Sequence, residues 1–252
     1  MDRLKDKVCI VTGSNGGIGS AVAQAFLREG AKVVLTEFRT KGAAEYARET
    51  GVSEDNWMVH PLDASSQESV DSLIAATLER FGRLDVFVAH AGSNSRYGHF
   101  FDVTGDDFDY LVTNNCKSVF LCSQAAAKAM IPTGGGAIVH TASMVSVIGR
   151  RNSVIYGATK GCVLAMTRCM AYDLLPYNIR VNAVAPGTVR SNQTKARLAD
   201  PEYLARNLRD IPMGRIGLPE DMVGAYVYLA SDESSFMTGA HIVVDGGLTE
   251  MR

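Results

Sequence analysis

The order of its segments predicts an α/β fold, a doubly wound parallel sheet of about seven strands with helices on both faces. Short runs rich in β-branched residues alternate with helix-like segments along the whole chain. One such run, at 84–92, is almost wholly apolar, as expected of a strand covered on both sides. A glycine-rich loop follows the first run directly, an arrangement typical of nucleotide-binding sheets.

Composition and charge argue against several classes of function. The 252 residues are 46% hydrophobic, which is enough to bury a large core in a single domain over 1–252. A net charge of −2 without a long basic run gives no reason to expect nucleic-acid binding. No apolar run approaches roughly 18 residues, so no membrane segment is expected.

The cysteines and histidines show no metal or disulfide pattern. Five cysteines lack any Cys-x-x-Cys spacing, and five histidines lack His-x-x-x-His, so no metal site is expected. The first residues include no apolar signal segment, and the odd cysteine number is typical of reduced thiols. We therefore expect a cytoplasmic protein.

The loop after the first strand, Gly13-Ser-Asn-Gly-Gly17-Ile-Gly19, is the first candidate site. Its glycines let the backbone turn tightly and approach a pyrophosphate, and the following helix offers free N–H groups and the positive end of its dipole. The spacing is Gly-x-x-x-Gly-x-Gly rather than the common Gly-x-Gly-x-x-Gly. Its position between a strand and a helix is what predicts a dinucleotide site.

Glu37 ends the second predicted strand, at 31–37, about 20 residues after the glycine loop. An acid at this spacing accepts hydrogen bonds from the adenosine ribose hydroxyls and disfavours a 2′-phosphate. An acid just past a strand is common, so the spacing carries the inference. The sequence therefore favours NAD over NADP.

The other elements follow in order. They are a third strand at 57–63, a helix to 81 with a Ser65–Glu68 capping box, the strand at 84–92, a long helix capped by Thr104 and running to 130, a fifth strand at 137–142, a helix at about 153–175, a sixth strand at 179–185, a polar insertion at about 188–213, a helix opened by Pro219, and a last strand at 241–245. Parallel strands end at one edge of the sheet, where such folds bind ligands. Candidate residues at these strand ends are Gly13, Glu37, Asp63, His90, Ser143 and Pro186.

Tyr156 and Lys160 stand four residues apart in the helix at about 153–175, which puts both side chains on one face. A phenol with its ordinary pKa of about 10 is a poor base, but a nearby ammonium favours the phenolate. The pair could then exchange a proton with an alcohol or a ketone, and Ser143 could bond the same oxygen. Alone, Tyr-x-x-x-Lys is more often a half-buried tyrosine beside a solvated lysine.

Taken together, these motifs resemble those of the short-chain dehydrogenase/reductase family, whose members of this size have a single Rossmann-type domain. The matching residues are Thr12-Gly-x-x-x-Gly-Ile-Gly19, Asp63, Asn115, Ser143, Tyr156-x-x-x-Lys160 and Pro186-Gly187. The resemblance implies an acid–base role for Tyr156 and a substrate-orienting role for Ser143. It implies that Lys160 binds the nicotinamide ribose and lowers the tyrosine pKa, and that Asn115 holds a relay water.

The resemblance also implies contacts to the coenzyme, with Asp63 at the adenine and the block after Pro186 at the carboxamide. The implied contact residues are Gly13, Asn15, Gly17, Ile18, Gly19, Glu37, Asp63, Ala64, Ala89, His90, Tyr156, Lys160, Pro186, Gly187, Val189 and Ser191. One departure is Ala89-His90-Ala91-Gly92, where the family has Asn-Asn-Ala-Gly. It puts the usual sheet-bracing hydrogen bonds in doubt, and His90 is expected to be structural rather than catalytic.

Three functions remain open. The first is an NAD-dependent dehydrogenase for a secondary alcohol, and the second is an NADPH-dependent 3-oxoacyl carrier-protein reductase. A site that binds the 2′-phosphate of NADPH would need a cation in the glycine loop or just after the second strand. This chain has Asn15, Glu37 and Phe38 at those places, and Arg39 is the nearest cation. The third is a redox-sensing protein without turnover, which the retained tyrosine and lysine disfavour.

The sequence also bears on the substrate pocket and on the oligomeric state. Pocket walls are expected at 93–101, 144–153 and 188–213, which are rich in cations: Arg150, Arg151, Arg190, Lys195, Arg197, Arg206 and Arg209, against Asp200, Glu202 and Asp210. They predict an anionic substrate, unless they form a solvated lid surface or subunit contacts. The same segments could still hold a bulky apolar substrate through Ile148, Leu198, Leu204, Leu208, Ile211 and Met213. The helices at 106–130 and 153–175 are apolar over more than one face, and family members are commonly homotetramers.

Overall fold

The computed structural model describes residues 2–38 and 42–251. Within them, parallel strands form one sheet in the order β3-β2-β1-β4-β5-β6-β7. The strands are β1 Val8–Val11, β2 Lys32–Glu37, β3 Trp57–Pro61, β4 Val86–Ala89, β5 Gly136–Thr141, β6 Ile179–Pro186 and β7 His241–Val244. This confirms the predicted doubly wound α/β class.

Helices cover both faces of the sheet. They are α1 Gly17–Arg28, α2 Ala43–Arg48, α3 Gln67–Phe81, α4 Gly105–Val112, α5 Ser118–Met130, α6 Val154–Leu174, α7 Asn192–Leu198, α8 Pro201–Asp210 and α9 Pro219–Ala230. Side chains alternate across β1: Cys9 and Val11 pack in a core layer with α1 and α9, and Ile10 packs in the other layer with α3, α5 and α6. This period of two is why the strands are apolar throughout.

Local departures from the predicted elements have physical causes. The cap of α3 is Ser66, whose Oγ accepts from Ser69 N, and the predicted Ser65–Glu68 box is wrong. Ser65 instead donates its N–H and hydroxyl to Asp63 Oδ1, at 3.0 and 2.6 Å. Thr104 does cap its helix, in a capping box with Asp107.

The helix after Thr104 is interrupted by a π-helical turn, Thr113–Lys117, between α4 and α5. The turn carries Asn115, and such insertions often occur at functional sites. Periodicity in the sequence does not reveal it, because apolar residues continue on both sides of the turn.

The strand order reverses between β1 and β4, which opens a crevice at the carboxyl edge of the sheet. Gly13 follows β1 at this crevice, His90 follows β4, and Ser143 follows β5 by two residues. The insertion predicted at 188–213 forms α7 and α8 over the same edge.

The described residues contain neither a helix that could span a membrane nor a cluster that could hold a metal ion. Across 2–38 and 42–251, none of the helices combines the length and hydropathy needed to cross a membrane. In the same ranges, no three His, Cys, Asp or Glu side chains cluster in a way that could hold a metal ion.

Candidate active site

The glycine loop is built to let another group approach its backbone. A Cβ at Gly19 would collide with the carbonyl oxygen of Gly13 and lie 2.9 Å from His90 Cδ2. Gly13 has φ 68°, and a Cβ there would lie 3.0 Å from Ala91 Cα. Helix α1 begins after Gly16 without a side-chain cap, so its first N–H groups remain available to an anion. This cradle fits the pyrophosphate of a dinucleotide.

Glu37 lies at the end of β2, on the adenosine side of the crevice. Its Oε2 accepts hydrogen bonds from the N–H groups of Gly42 and Ala43, at 2.9 and 3.1 Å, where α2 begins. Arg39, the cation nearest to Glu37 in the sequence, lies outside the described residues. The carboxylate is therefore held in place by backbone, in a position suited to a ribose hydroxyl.

The end of β4 is braced by Thr12. The N–H groups of His90 and Ala91 both donate to Thr12 Oγ1 at 2.9 Å, and this hydroxyl in turn donates to Val88 O. Thus Thr12 supports this loop although Ala89 supplies no side-chain amide. The sheet-bracing bonds that the altered motif put in doubt are provided in this way.

His90 is a half-buried, neutral side chain. Its Nδ1 lies 3.2 Å from Thr141 Oγ1, which is also 2.7 Å from the Tyr226 hydroxyl. Burial, aided by the charge of Lys160, lowers the pKa of His90 to about 4. An imidazole with this pKa is uncharged at neutral pH, as a structural histidine would be.

Tyr156 and Lys160 lie on the first two turns of α6, with Ser143 opposite them. Lys160 Nζ donates a 2.8 Å hydrogen bond to the carbonyl of Thr141 and lies 5.9 Å from the centre of the Tyr156 ring. Ser143 and Tyr156 line the same cavity, and the Ser143 hydroxyl, as a hydrogen-bonding group, acts to lower the pKa of the phenol. These three side chains meet at the carboxyl end of β5, as their sequence positions predicted.

The pKa of Tyr156 shifts in the opposite direction to the one expected. Burial raises it above the usual range, Tyr97 raises it further, and the hydrogen bond from Ser143 and the charge of Arg197 only partly oppose this. Lys160 shares these desolvated surroundings, and burial lowers its own pKa to about 8. The phenol is therefore a proton donor in this state.

Asn115 links two parts of the site. Its Oδ1 accepts from Ser93 N at 2.7 Å, and its Nδ2 donates to Ser93 O at 2.9 Å and to Thr159 Oγ1 at 3.1 Å. The buried amide thus ties the loop after β4 to α6, beside Lys160. With both amide protons used, the side chain acts here as a positioning group, and the relay water stays a prediction.

The block after β6 reaches back over the glycine loop. A Cβ at Gly17 would lie 3.2 Å from Ser191 Cβ, and Gln193 Nε2 donates to Gly92 O at 3.2 Å. Ser191 N donates to Thr194 Oγ1 at 2.9 Å, which fixes the start of α7. Gly187 packs against Asp245, where a Cβ would come within 2.7 Å of Asp245 Cα. The chain after Pro186 therefore closes the crevice from above.

The other implied coenzyme contacts lie around the same crevice. They are Asn15 and Ile18 in the loop and first turn of α1, Asp63 and Ala64 after β3, Ala89 at the end of β4, and Val189 after β6, which pairs with Gly217. Asp63 Oδ1 is engaged by Ser65. Their contacts with a coenzyme remain predictions.

A cavity of about 460 Å³ opens above Ser143 and Tyr156. Its lining residues are Asn94, Tyr97, Ser143, Met144, Val145, Gly149, Arg150, Arg151, Asn152, Ser153, Tyr156, Gly187, Thr188, Thr194, Arg197, Tyr203, Arg206 and Asp210. Apart from Ser143, Tyr156 and Gly187, they come from the three predicted wall segments. Tyr97 and Tyr203 were missed, because no motif marks an aromatic residue in a variable loop.

The fold and the site together are typical of a dinucleotide-binding oxidoreductase, with a serine, a tyrosine and a lysine brought together at the carboxyl edge of the sheet. A family model described as Enoyl-(Acyl carrier protein) reductase matches residues 13–249. The 3alpha-hydroxysteroid dehydrogenase of Mediterraneibacter gnavus is 40% identical over 246 residues, which cover 96% of this chain and 97% of that protein. The L-rhamnose 1-dehydrogenase (NAD(P)(+)) of Azotobacter vinelandii is 37% identical over 250 residues, 97% of each protein.

A solved structure of a short-chain type dehydrogenase/reductase from Mycobacterium marinum matches with a TM-score of 0.93 at 36% identity, covering 98% of this chain and 97% of that one. The chain belongs to the short-chain dehydrogenase/reductase family. It is thus an oxidoreductase of alcohol and ketone groups, and such enzymes use nicotinamide cofactors.

Proposed function

We propose that this enzyme transfers a hydride between NAD(H) and a secondary alcohol or its ketone, with Tyr156 as the acid–base group. The single observation that carries the proposal is the meeting of Ser143 and Tyr156 at the floor of the cavity, with Lys160 one turn behind. The bound nicotinamide would supply or accept the hydride. The protein's own side chains would transfer the proton to or from the substrate oxygen.

In the reducing direction, the protonated phenol of Tyr156 donates to the substrate oxygen as negative charge develops there. Ser143 donates a second hydrogen bond to that oxygen. In the oxidising direction the phenol must first lose its proton, and the Lys160 ammonium is the nearby charge that favours this loss. Burial lowers the pKa of Lys160 only to about 8, which still leaves most of this ammonium charged at neutral pH.

Preference for NAD is proposed from Glu37. Its carboxylate is fixed by Gly42 and Ala43 at the end of β2, where a 2′-phosphate would meet a like charge. The alternative of an NADPH-dependent 3-oxoacyl carrier-protein reductase would need a cation at this position. The alternative of a sensor without turnover would leave the serine, tyrosine and lysine arrangement without a role.

We also propose a homotetramer. Supporting this, α5 and α6 present exposed apolar side chains, among them Phe120, Val154 and Tyr172, and the exposed Leu175 directly follows α6. Equilibrium sedimentation would give the subunit number directly, and a monomer at micromolar concentration would contradict the proposal.

The main test is a panel of secondary alcohols assayed with NAD and with NADP, following reduced nicotinamide at neutral and mildly alkaline pH. We expect turnover with NAD on at least one alcohol, and its loss in Tyr156→Phe. If no alcohol or ketone in the panel reacts with either coenzyme while NAD still binds, the sensor alternative replaces the proposal.

A further inference from the structure

We infer that the substrate carries a carboxylate or a similar small anion, and that Arg197 is the side chain that binds it. This rests on the proposed alcohol–ketone chemistry and specifies its substrate class. The first observation is the charge of the cavity wall. Four arginines and one aspartate are its charged side chains, Arg150, Arg151, Arg197, Arg206 and Asp210. A wall with this excess of positive charge favours an anion.

The structure separates these arginines by their partners. Arg150 lies 3.8 Å from Asp210 Oδ2 and 3.4 Å from Asn207 Oδ1, so its charge is already compensated by the wall. Arg151 and Arg206 are exposed at the rim. Arg197 is half-buried, and no carboxylate within the described ranges forms an ion pair with it. It is therefore the cation with the most to gain from an anionic ligand.

Aromatic side chains hold Arg197 in place. Its guanidinium carbon lies 4.2 Å from the centre of the Tyr97 ring and 5.7 Å from that of Tyr203. Arg197 also hydrogen-bonds the Tyr97 hydroxyl. A guanidinium has five N–H donors, so one held against aromatic rings in this way still has donors for a carboxylate. Because the side chain is already ordered, less conformational entropy is lost when the anion binds.

Arg197 is also close enough to the reaction centre to matter for the substrate. The ring of Tyr97 contacts Arg197 on one side and lies 5.6 Å from the Tyr156 ring, centre to centre. The charge of Arg197 reaches the phenol, where it works against the rise in the pKa of Tyr156. One aromatic ring thus separates the anion site from the reacting oxygen, which specifies a short substrate with a few carbons between its anion and its alcohol.

Other cations of the insertion do not compete for this role. Arg190, Lys195 and Arg209 are exposed and do not line the cavity. Lys195 stands two residues from Arg197 in α7, so Lys195→Ala removes the same charge from the same helix outside the cavity. It is the matched control for the general electrostatic field.

The binding test uses the enzyme with NAD bound and two probes of equal length, pentanoate and pentanamide, titrated by calorimetry. We expect wild type and Lys195→Ala to bind pentanoate more tightly than pentanamide. Arg197→Ala should weaken pentanoate binding about 10- to 100-fold and leave pentanamide nearly unchanged. Arg197→Lys keeps the charge without the fork and should fall between. Equal affinity of wild type for the two probes, or equal weakening of both by Arg197→Ala, would overturn the inference.

The turnover test uses NADH with levulinate and its methyl ester. Arg197→Ala should raise KM for levulinate by a similar factor, with kcat and the ester reaction little changed. The wild type could reduce neither levulinate nor its methyl ester and still bind pentanoate more tightly than pentanamide. That outcome would count against the proposed chemistry alone. Reduction of both ketones with no dependence on Arg197 would count against the anion site alone.

Discussion

Tyr156 combines two requirements that oppose each other. Desolvation gives the phenol the dry surroundings in which its hydrogen bond to a substrate oxygen is strong, and the same desolvation raises its pKa. Ser143 and the charges of Lys160 and Arg197 are the groups available to balance this. In the proposed mechanism, the raised pKa therefore suits the phenol to donating a proton, and oxidation depends on the Lys160 ammonium.

The first prediction is that Tyr156→Phe lowers kcat by roughly 10²- to 10⁴-fold or more, since the ring's packing remains and the proton carrier is lost. Coenzyme affinity, measured by fluorescence titration, should change little. Tyr226→Phe is a matched control, because it removes a buried phenol that bonds Thr141 outside the cavity. Its effect should fall mainly on stability, about 1 kcal/mol. A Tyr156→Phe enzyme with near wild-type kcat would show that another group carries the proton.

The second prediction concerns Glu37 and coenzyme choice. We expect kcat/KM with NAD to exceed that with NADP, and Glu37→Ser to narrow the ratio by about tenfold or more because the like-charge repulsion disappears. Serine also loses the bonds to Gly42 and Ala43 at the start of α2.

The control for that loss is Glu37→Gln, which keeps an oxygen acceptor for those two N–H groups and removes the charge. If charge repulsion decides the coenzyme preference, kcat/KM with NADP should rise in both Glu37→Ser and Glu37→Gln. Steady-state kinetics with the two coenzymes give the ratio. Tighter binding of NADPH than NADH by the wild type would favour the acyl carrier-protein reductase alternative.

At the scale of elements, Asn115 connects the loop after β4 to α6. It sits in the π-helical turn Thr113–Lys117 and bonds both the N–H and the carbonyl of Ser93 as well as Thr159. Thr159 directly precedes Lys160, so the amide helps to fix the position of the ammonium.

The third prediction is that Asn115→Ala lowers the free energy of unfolding by about 2–4 kcal/mol, because several buried polar groups lose their partner at once. Thr159→Val, which removes one of the three bonds, should cost about 1 kcal/mol. Urea denaturation measures both, and kcat should fall further in Asn115→Ala than in Thr159→Val. If Asn115→Ala changed the free energy of unfolding by less than about 0.5 kcal/mol, the three hydrogen bonds of Asn115 would contribute little to stability.

Sequence patterns predicted these elements well where local chemistry decides them. Apolar runs fixed the strands, Pro219 opened α9, and Thr104 capped α4. The candidate residues also gathered at one edge, because parallel strands all end there. The patterns failed where three-dimensional direction decides, as with Ser66 in place of Ser65 as the cap of α3.

The insertion shows the same limit. The sequence did not distinguish Arg190 from Arg197. In the structure, Arg190 is exposed outside the cavity and Arg197 stacks on Tyr97. Which side of α7 faces the cavity depends on how that helix packs over the sheet edge, which composition does not encode. The raised pKa of Tyr156 was missed for a related reason, since desolvation is a property of the assembled site.

At the scale of the whole molecule, the half-buried His90 and the fully buried His140 couple folding to pH. Burial, aided by the charge of Lys160, lowers the pKa of His90 and of His140 to about 4. His140 is held between Ser123 and Thr167, each at 2.9 Å from a ring nitrogen. In the unfolded chain both imidazoles return to a pKa near 6.5.

The sign of the effect follows from proton counting. Between pH 6.5 and about 4, the unfolded chain binds protons that the folded protein cannot accept on these two rings. Stability therefore rises with pH across this window and is lost as the pH falls. Once the window is entered, each histidine contributes a slope approaching about 1.4 kcal/mol per pH unit. Asp221, whose pKa is lowered to about 2, acts only below its ordinary value of 3.8 and lies outside the window.

The last prediction is that the wild-type free energy of unfolding falls steeply below pH 6.5, and that His90→Asn and His140→Asn each remove about half of the histidine part of that slope. The slope is the readout because each substitution also shifts stability at neutral pH, where Ser123, Thr141 and Thr167 must adapt to a new partner. His90→Asn places the family's residue at that position and should fold readily. Urea denaturation at a series of pH values gives the slopes. If both variants keep the wild-type slope between about pH 6 and 5, the acid sensitivity arises from other groups, and the two imidazoles take up protons in the folded state.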